Sequence, residues 1–265
     1  MALLLLLVAL VPPALDPVRV LVYNIHAGKD SQGIDNLERV AELVRRTGAD
    51  LVLLQEVDRG TERSGRTDQP AVLARLTGYH VAFGKTLDYQ GGEYGIAVLS
   101  RWPIVSDTLL PLTVQPPQQR AGGSHEPRGV LHVTVAGPGG ALHVLNTHLD
   151  PSAEDGYRLQ EVEGVLSAAR RLVPGAAPAL LGGDFNAVPE SRVHQRVLGD
   201  AWRDAWIACG RGSAATYPSH LPVKRIDYLF LPASLACESA VVLESAASDH
   251  RPLLVTLLAG GSVGP

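Results

Sequence analysis

Short apolar runs that end in polar residues recur along the chain and predict a set of buried β-strands. Such runs occupy residues 18–24, 51–56, 96–100, 130–135, 141–145, 178–184, 226–230 and 252–257. Continuous apolar runs of this length are typical of strands that are covered on both faces. Several of them finish on a carboxylate or an amide, so the pattern predicts that polar side chains collect at one end of a sheet.

Two helices, a hairpin and a long loop are predicted between these strands. Apolar residues at helical spacing, with Gly48 as a stop, predict a helix over 34–47, and a second helix is predicted over 153–173. The Gly-rich turn at 137–140 joins two runs as a hairpin. Residues 113–127 are rich in Pro, Gln and Gly, which predicts a surface loop over a site.

Length and composition indicate one folded domain. The 265 residues are 46% hydrophobic and 19% charged, which argues against a disordered chain. One domain can hold a chain of this size, and we assign it to residues 17–260, followed by a tail at 261–265. The 27 Gly and 19 Pro predict many tight turns between short elements.

The first sixteen residues resemble a leader. Their apolar run is too short to span a bilayer as a free helix and is similar to a signal-peptide core. No Lys or Arg precedes it, and Pro12, Pro13 and Ala14 match a cleavage site poorly. We therefore expect a secreted or periplasmic protein, and a cytoplasmic one if the run reflects a misassigned start codon.

Cys209 and Cys237 allow at most one disulfide, and the sequence leaves that pairing open.

Net charge and missing motifs exclude several functions. A net charge of −4 provides no broad basic surface for tight, non-specific nucleic-acid binding. The chain has no CxxC pair, GxSxG elbow, P-loop or GxGxxG fingerprint, so zinc-finger, serine-hydrolase, NTPase and dinucleotide-enzyme interpretations lack support.

Polar residues at or next to strand ends form the candidate site. They are Asn24, Glu56, His148, Asp184, Asn186, Asp227, Asp249 and His250. A single Asp or Asn after a strand is usually a turn former or a helix cap. As a set, the oxygen donors suit a hard ion such as Mg²⁺, and the histidines suit contact with a phosphoryl group or proton transfer.

An ordered series of short motifs resembles one enzyme family. The segments are Tyr-Asn-Ile-His at 23–26, Gln-Glu-Val at 55–57, Asn-Thr-His-Leu-Asp at 146–150, Gly-Asp-Phe-Asn at 183–186, Arg-Ile-Asp-Tyr at 225–228 and Ser-Asp-His-Arg-Pro at 248–252. Their order is similar to that of the endonuclease/exonuclease/phosphatase superfamily. The resemblance implies an α/β fold: a four-layer α/β sandwich with two mixed β-sheets packed face to face between outer helices, as in deoxyribonuclease I.

The resemblance also implies a role for each motif residue. Glu56 is expected to be the main ligand of Mg²⁺, for which Mn²⁺ can substitute, with Asn24 nearby and Asp249 as a further metal or water contact. Asp184 and Asn186 would orient or deprotonate the attacking water and hold the phosphate. His250 would be charged by its partner Asp227, and His148 would be a second histidine facing the phosphate. The identity of the general base stays open.

Other residues are weaker candidates. Tyr94 resembles a phosphate-contacting tyrosine of the family, although Ile96 stands where many members have Asn. Arg128 is expected either to bind an anionic substrate group or to be a plain surface residue. His26 is a minor candidate because it lies beside Asn24. The remaining histidines are assigned structural or exposed positions: His80, His125, His132, His143, His194 and His220.

These expectations lead to a function. We predict one-step, metal-dependent hydrolysis of a phosphodiester, with a small or lipid-derived substrate, by a monomer without an integral membrane domain. A metal-dependent nuclease is the main alternative, for which a basic rim with aromatic residues would be expected. A catalytically silent binding protein with the same fold is a further alternative, but every motif residue is present.

Overall fold

The computed structural model describes residues 17–117 and 126–258 of the chain. The predicted leader at 1–16, the predicted tail at 261–265 and the centre of the predicted 113–127 loop, including His125, lie outside the described residues. Within the described part, no helix is long and apolar enough to cross a membrane.

In the described part of the chain, twelve strands form two six-stranded mixed sheets. The first sheet contains β1 (Val18–Asn24), β2 (Leu51–Arg59), β3 (His80–Tyr89), β4 (Gly92–Ser100), β11 (Cys237–Val242) and β12 (Leu253–Leu257), in the order β11-β12-β1-β2-β4-β3. The second contains β5 (Ile104–Leu112), β6 (Arg128–Gly137), β7 (Gly140–His148), β8 (Ala179–Asp184), β9 (Trp202–Asp204) and β10 (Asp227–Pro232), in the order β5-β6-β7-β8-β10-β9.

Each sheet contains one parallel pair of strands joined by a helix. In the first sheet, α1 (Leu37–Thr47) connects β1 to the parallel β2. In the second, α3 (Gly156–Leu172) connects β7 to the parallel β8. The other described helices are α2 (Gln69–Thr77), α4 (Arg192–Leu198) and α5 (Ala205–Cys209). The two halves of the molecule therefore repeat one strand-helix-strand arrangement.

Three apolar cores separate four layers. The core between the sheets contains Val22, Leu53, Leu131 and Leu229. A second core packs α1 and α2 on the outer face of the first sheet, and a third packs α3 and α4 on the outer face of the second. Because each sheet is covered on both faces, its inner strands are apolar throughout. This is the α/β sandwich that the motif resemblance implied.

The helix predicted over 34–47 begins later than the periodicity suggested. Ile34 is exposed and lies in a turn, where its backbone N–H donates to Oδ1 of Asp30 at 2.9 Å. The buried Asn36 precedes the helix and donates from Nδ2 to the carbonyls of Ile25 and Lys29. These side-chain bonds stabilise a turn instead of a first helical turn, so α1 starts at Leu37.

Cys209 and Cys237 form a disulfide, which answers the question that the sequence left open. The bond joins the end of α5 to the start of β11, across a sequence separation of 28 residues. It thereby ties an edge strand of the first sheet to the helix that follows the edge strand β9 of the second sheet.

Candidate active site

The predicted site residues converge at one end of the two sheets. Asn24 and Glu56 lie at the carboxyl end of the parallel pair β1 and β2. His148 and Asp184 occupy the equivalent position in the parallel pair β7 and β8, where they are paired in register. The carboxyl ends of parallel strands are the usual place for ligand sites in α/β sheets.

The antiparallel neighbours bring the remaining residues to the same end. Asp227 begins β10 and pairs in register with Asp184. Asp249 and His250 lie three to four residues before the start of β12, which runs antiparallel to β1. The sheet topology thus explains why residues spread between positions 24 and 250 form one site.

Local backbone geometry directs three of the site side chains. A register shift between β2 and β4 lies at Glu56, whose φ is 54°, and Asn186 has a φ of 48°. Non-glycine residues with positive φ are uncommon and collect at functional sites. Gly183 has a φ of 139°, and a Cβ there would lie 1.9 Å from the carbonyl oxygen of Thr147. Only glycine therefore lets β8 approach β7 closely enough to deliver Asp184.

Asp184 is the buried centre of the site. Its Oδ2 accepts a hydrogen bond of 3.1 Å from Asn24 Nδ2 and lies 3.6 Å from Nε2 of both His148 and His250. Its Oδ1 accepts from the backbone N–H of Asn186 at 2.9 Å. Burial, followed by the nearby charge of Asp227, raises the pKa of Asp184 to about 7. A carboxylate with this pKa is suited to take a proton from water near neutral pH.

His250 is held as a cation by two carboxylates. Its Nδ1 lies 2.9 Å from Oδ2 of the buried Asp227. Burial by itself would lower the pKa of His250, but the charges of Asp227 and then Asp184 outweigh it and raise the pKa to about 10. The ring of Tyr217 packs on the imidazole, with 4.9 Å between ring centres. Nε2 of His250 therefore presents a positive N–H beside Asp184.

His148 has a different partner and hence a different proton arrangement. Its Nδ1 lies 3.1 Å from Nη1 of Arg128, a side chain that is only 3% exposed. A guanidinium can only donate hydrogen bonds, so Nδ1 accepts and the imidazole proton is on Nε2. Nε2 lies 3.6 Å from Asp184 Oδ2 and 3.2 Å from Nδ2 of Asn186, which itself donates to the carbonyl of Leu149 at 3.0 Å.

Arg128 therefore contacts His148 instead of lying on the surface. It is buried, forms a 2.8 Å ion pair with Glu126 and is not among the residues that line the cleft. The prediction of a plain surface role for Arg128 is wrong, because its side chain is buried. The hydrogen bond to His148 and the ion pair with Glu126 compensate this burial.

Tyr94 does line the cleft, and burial, followed by the charge of Glu56, raises its pKa well above the usual value. Its hydroxyl therefore remains a donor.

Two groups of oxygen donors fit a hard divalent cation. Glu56 faces the cleft, and within the described residues only Asn24 Nδ2 donates to it, at 3.1 Å. Asn24 turns its amide nitrogen toward the carboxylates, while its oxygen accepts from the backbone N–H of His26, so metal contact by Asn24 stays a prediction. The second group is Asp184, Asp227 and His250, whose donor atoms lie within 4.8 Å of one another.

The proton on His250 already compensates the negative charge of the second group. Glu56, by contrast, has one carboxylate oxygen that accepts no hydrogen bond from the described residues, and its side chain faces the cleft. Mg²⁺ prefers carboxylate oxygens and keeps several waters, so the donor set at Glu56 fits it better. Asp249 also lines the cleft, 3.9 Å from Nδ1 of His26, which brings His26 to the rim of the site.

The site opens into a cleft of about 1090 Å³. Besides the predicted residues, Arg63, Tyr89, Glu126 and Tyr217 line it. The sequence analysis missed these four because they lie in connecting segments or at the end of an edge strand, outside the strand-end motifs.

Three other histidines lie in buried hydrogen-bonded pairs. His194 is bonded to Asp204 at 2.8 Å, and His132 is bonded to His143 at 2.9 Å. These three histidines do not line the cleft, in agreement with their structural assignment.

Sequence comparison connects this geometry to a known family. The model of the endonuclease/exonuclease/phosphatase family matches residues 21–250, which include all the candidate site residues from Asn24 to His250. The chain belongs to this family. Members of the endonuclease/exonuclease/phosphatase family hydrolyse phosphoester bonds, and the convergent carboxylates and histidines are consistent with that chemistry.

Relatives of the chain cover nearly its full length. The uncharacterized protein YbhP of Escherichia coli K12 is 28% identical over 248 residues, which is 89% of this chain and 94% of YbhP. An endonuclease/exonuclease/phosphatase structure from Beutenbergia cavernae is 28% identical with a TM-score of 0.78, covering 94% of this chain and 73% of its own. The mannosyl-6-phosphatase Bt3783 of Bacteroides thetaiotaomicron shares the fold, with 20% identity, a TM-score of 0.75 and coverage of 91% and 99%.

Proposed function

We propose that this protein is a Mg²⁺-dependent phosphodiesterase that acts on a small or lipid-derived substrate. The observation that carries the proposal is the buried Asp184 carboxylate, which lies 3.6 Å from Nε2 of both His148 and His250 at the base of an open cleft. This places one proton acceptor and two N–H donors within reach of the same phosphoryl group.

The side chains divide the chemistry among them. Asp184, with its pKa near 7, accepts the proton of the attacking water. The charged His250 and the neutral His148 donate hydrogen bonds to phosphoryl oxygens, where negative charge grows in the transition state. Asn186 and Tyr94 add further donors at the cleft wall. No covalent intermediate is needed, because water attacks the phosphorus directly.

The divalent cation is assigned to Glu56, with Asp249 as a further contact. When bound, such an ion polarises a phosphoryl oxygen and neutralises charge on the leaving oxygen. The free oxygen of Glu56, facing the cleft, supports this assignment.

The composition of the cleft supports a small or lipid-derived substrate over a long nucleic acid. Among the described residues that line it are six carboxylates and only three Lys or Arg side chains. A nucleic-acid enzyme requires several phosphate-neutralising cations along its groove. In addition, the exposed Leu221 and Val223 lie on the segment between Tyr217 and Lys224, both of which line the cleft. Exposed apolar side chains beside the cleft suit an amphiphilic substrate.

We also propose that the protein is exported. The disulfide between Cys209 and Cys237 supports this location, since such bonds persist mainly outside the cytosol. The apolar leader-like segment in the sequence is compatible with it.

A substrate panel tests the proposed function. It compares kcat/KM for bis(p-nitrophenyl) phosphate, p-nitrophenyl phosphate, inositol phosphates, sphingomyelin, RNA and plasmid DNA, with Mg²⁺ or with EDTA, at about 0.15 M salt. We expect a small or lipid-derived phosphodiester to be the best substrate and EDTA to abolish its hydrolysis. If plasmid DNA is the best substrate, the nuclease alternative replaces this proposal.

A further inference from the structure

Arg63 lies in the cleft and has no part in the roles assigned above. It belongs to the loop that follows β2, the strand that carries Glu56, and it lines the cleft beside Tyr89 and Tyr94. Its side chain is 35% exposed, whereas Arg128 is 3% exposed. Arg63 is therefore accessible to a ligand that enters the cleft.

Its guanidinium is held in one orientation. Nε and Nη2 donate to Oδ2 and Oδ1 of the fully buried Asp58, each at 2.8 Å. The hydroxyl of Thr61 donates to the same carboxylate at 2.7 Å. Cζ of Arg63 lies 4.8 Å from the ring centre of Tyr89 and 5.3 Å from that of Tyr94. A group that is already ordered loses little side-chain entropy when a ligand binds.

One nitrogen of this guanidinium is available to a ligand. Asp58 occupies the edge formed by Nε and Nη2, and within the described residues nothing accepts a hydrogen bond from Nη1 of Arg63. Guanidinium nitrogens only donate, so a ligand group at Nη1 must be an acceptor. The planar, always charged group favours phosphate and carboxylate oxygens.

Arg158, another positively charged residue that lines the cleft, uses its hydrogen-bond donors differently from Arg63. It is buried, and Nη1 donates to the carbonyls of Asp150 and Ser152, while Nη2 pairs with the carboxylate of Asp155 at 2.6 Å. Its donors are therefore used to order the start of α3.

The position of Arg63 separates it from the reacting phosphate. The ring of Tyr94 contacts the Arg63 guanidinium, and Tyr94 pairs in register with Asp58, two residues after Glu56 on β2. Arg63 is thus placed on the Glu56 side of the cleft. A group bound there belongs to an ester arm of the substrate, since the scissile phosphate faces His148 and His250.

We propose that Arg63 forms a second anion subsite, which binds a phosphate or carboxylate carried on one ester arm of the substrate. This inference rests on the proposed function and specifies its substrate class as phosphodiesters with an additional anionic group.

Two matched diesters test the subsite. Both release p-nitrophenol, and the second arm is a 4-carboxyphenyl group in one and its methyl ester in the other. A third compound with a 4-phosphonooxyphenyl arm distinguishes a phosphate from a carboxylate preference, and the dinucleotides pTpT and TpT show whether a nucleotide phosphate serves equally well. We expect the wild-type protein to favour the anion-bearing member of each pair, mainly through a lower KM.

Substitution of Arg63 should remove that preference. Arg63→Gln is expected to lower kcat/KM for the anionic diester by about 10- to 100-fold and for the methyl ester by no more than about twofold, as for loss of a charge-assisted hydrogen bond. Because Arg63→Gln removes the cation that pairs with the buried Asp58, the double variant Asp58→Asn/Arg63→Gln is measured with it. Arg66→Gln is the control, since Arg66 lies on the same loop and bonds to the carbonyls of Gly60, Gln90 and Gly91 but does not line the cleft.

Calorimetric binding of the same diesters with EDTA present gives a readout that is independent of turnover. If the wild-type protein hydrolyses neither diester, the proposed function fails, and binding alone decides the subsite. A preference for the anionic diester that is lost in both Arg63 variants supports the anion subsite at Arg63. Equal losses for both diesters, or an unchanged preference, show that Arg63 only orders its loop and overturn the inference.

Discussion

Two histidines face the same buried carboxylate, and their partners give them different charges. Asp227 stabilises a proton on Nδ1 of His250, whereas Arg128 can only donate to Nδ1 of His148. The site thus has one imidazolium and one neutral imidazole, each with Nε2–H near Asp184. The neighbouring residues, and not the histidines themselves, determine this difference.

Replacing Arg128 should impair turnover more than substrate binding. Arg128→Met removes the donor that selects the His148 tautomer, so we expect kcat to fall by about 10- to 100-fold, the range typical of partners that orient a metal-ligating histidine. KM should change by less than about threefold, because Arg128 does not line the cleft. Arg128→Lys, which retains a donor, should restore part of kcat. A large rise in KM with unchanged kcat would instead show direct substrate binding by Arg128.

Asp184 should make the metal-free protein less stable as pH rises. Its pKa of about 7 when folded exceeds the ordinary value of 3.8, so the folded state retains a proton that the unfolded chain has lost. The free energy of unfolding therefore falls between about pH 4 and pH 7. His250 has a raised pKa of about 10, so its contribution is present below its ordinary pKa of 6.5 and is lost as pH rises toward 10.

Asp184→Asn removes the first of these two effects. The free energy of unfolding is measured by urea unfolding with EDTA at pH 5 and at pH 8. Its decrease from pH 5 to pH 8 should be smaller in Asp184→Asn than in the wild-type protein by roughly 2–4 kcal/mol. Asp107→Asn, an exposed change on β5, is the control. Parallel pH dependence in all three proteins would contradict the assignment of Asp184 as a buried acid with a raised pKa.

At the scale of elements, the sequence predicted every inner strand and no edge strand. The four missed strands are β3, β5, β9 and β11, which are the outer strands of the two sheets. Inner strands are covered on both faces and read as apolar runs, whereas edge strands alternate and include charged residues and proline. β5 shows this directly: Ser106, Asp107 and Thr108 are exposed, and Pro111 lies near its end.

The same contrast explains which site residues were found. Asn24, His148 and Asp184 end inner strands, and Glu56 lies where β2 stops pairing with β1, so an apolar run marks each one. Arg63 and Tyr217 lie in connecting segments whose paths depend on tertiary contacts, such as the pair of Arg63 with Asp58. No local pattern in the sequence indicates that these segments turn toward the cleft.

The disulfide should stabilise the junction between α5 and β11. For a separation of 28 residues, the loop-closure model gives about 3–4 kcal/mol of stabilisation. We expect the double variant Cys209→Ala/Cys237→Ala to unfold at a lower temperature, with kcat unchanged because neither cysteine lines the cleft. Reductant should lower the unfolding temperature of the wild-type protein and leave the variant unaffected. Equal unfolding temperatures for the two proteins would show that the bond contributes nothing.

For the whole molecule, two strand-helix-strand units facing each other create the site. Each unit delivers two polar side chains from a parallel pair, and the antiparallel neighbours β10 and β12 complete the set. The net charge of −4 and the carboxylate-rich cleft favour binding of a divalent cation together with a small phosphodiester. The central claim is thus a metal-dependent reaction organised by Glu56.

The rate of bis(p-nitrophenyl) phosphate hydrolysis tests that claim most directly. It is measured for the wild-type protein with saturating Mg²⁺ and with EDTA, and for Glu56→Gln with Mg²⁺. Glu62→Gln, an exposed change in the loop after β2, is the control. Because the amide retains the shape of the side chain but not the charge that holds a hard cation, we predict a loss of at least about 100-fold in Glu56→Gln, only partly restored by excess metal. Full activity in Glu56→Gln, or in the wild-type protein with EDTA, would contradict the metal-dependent mechanism.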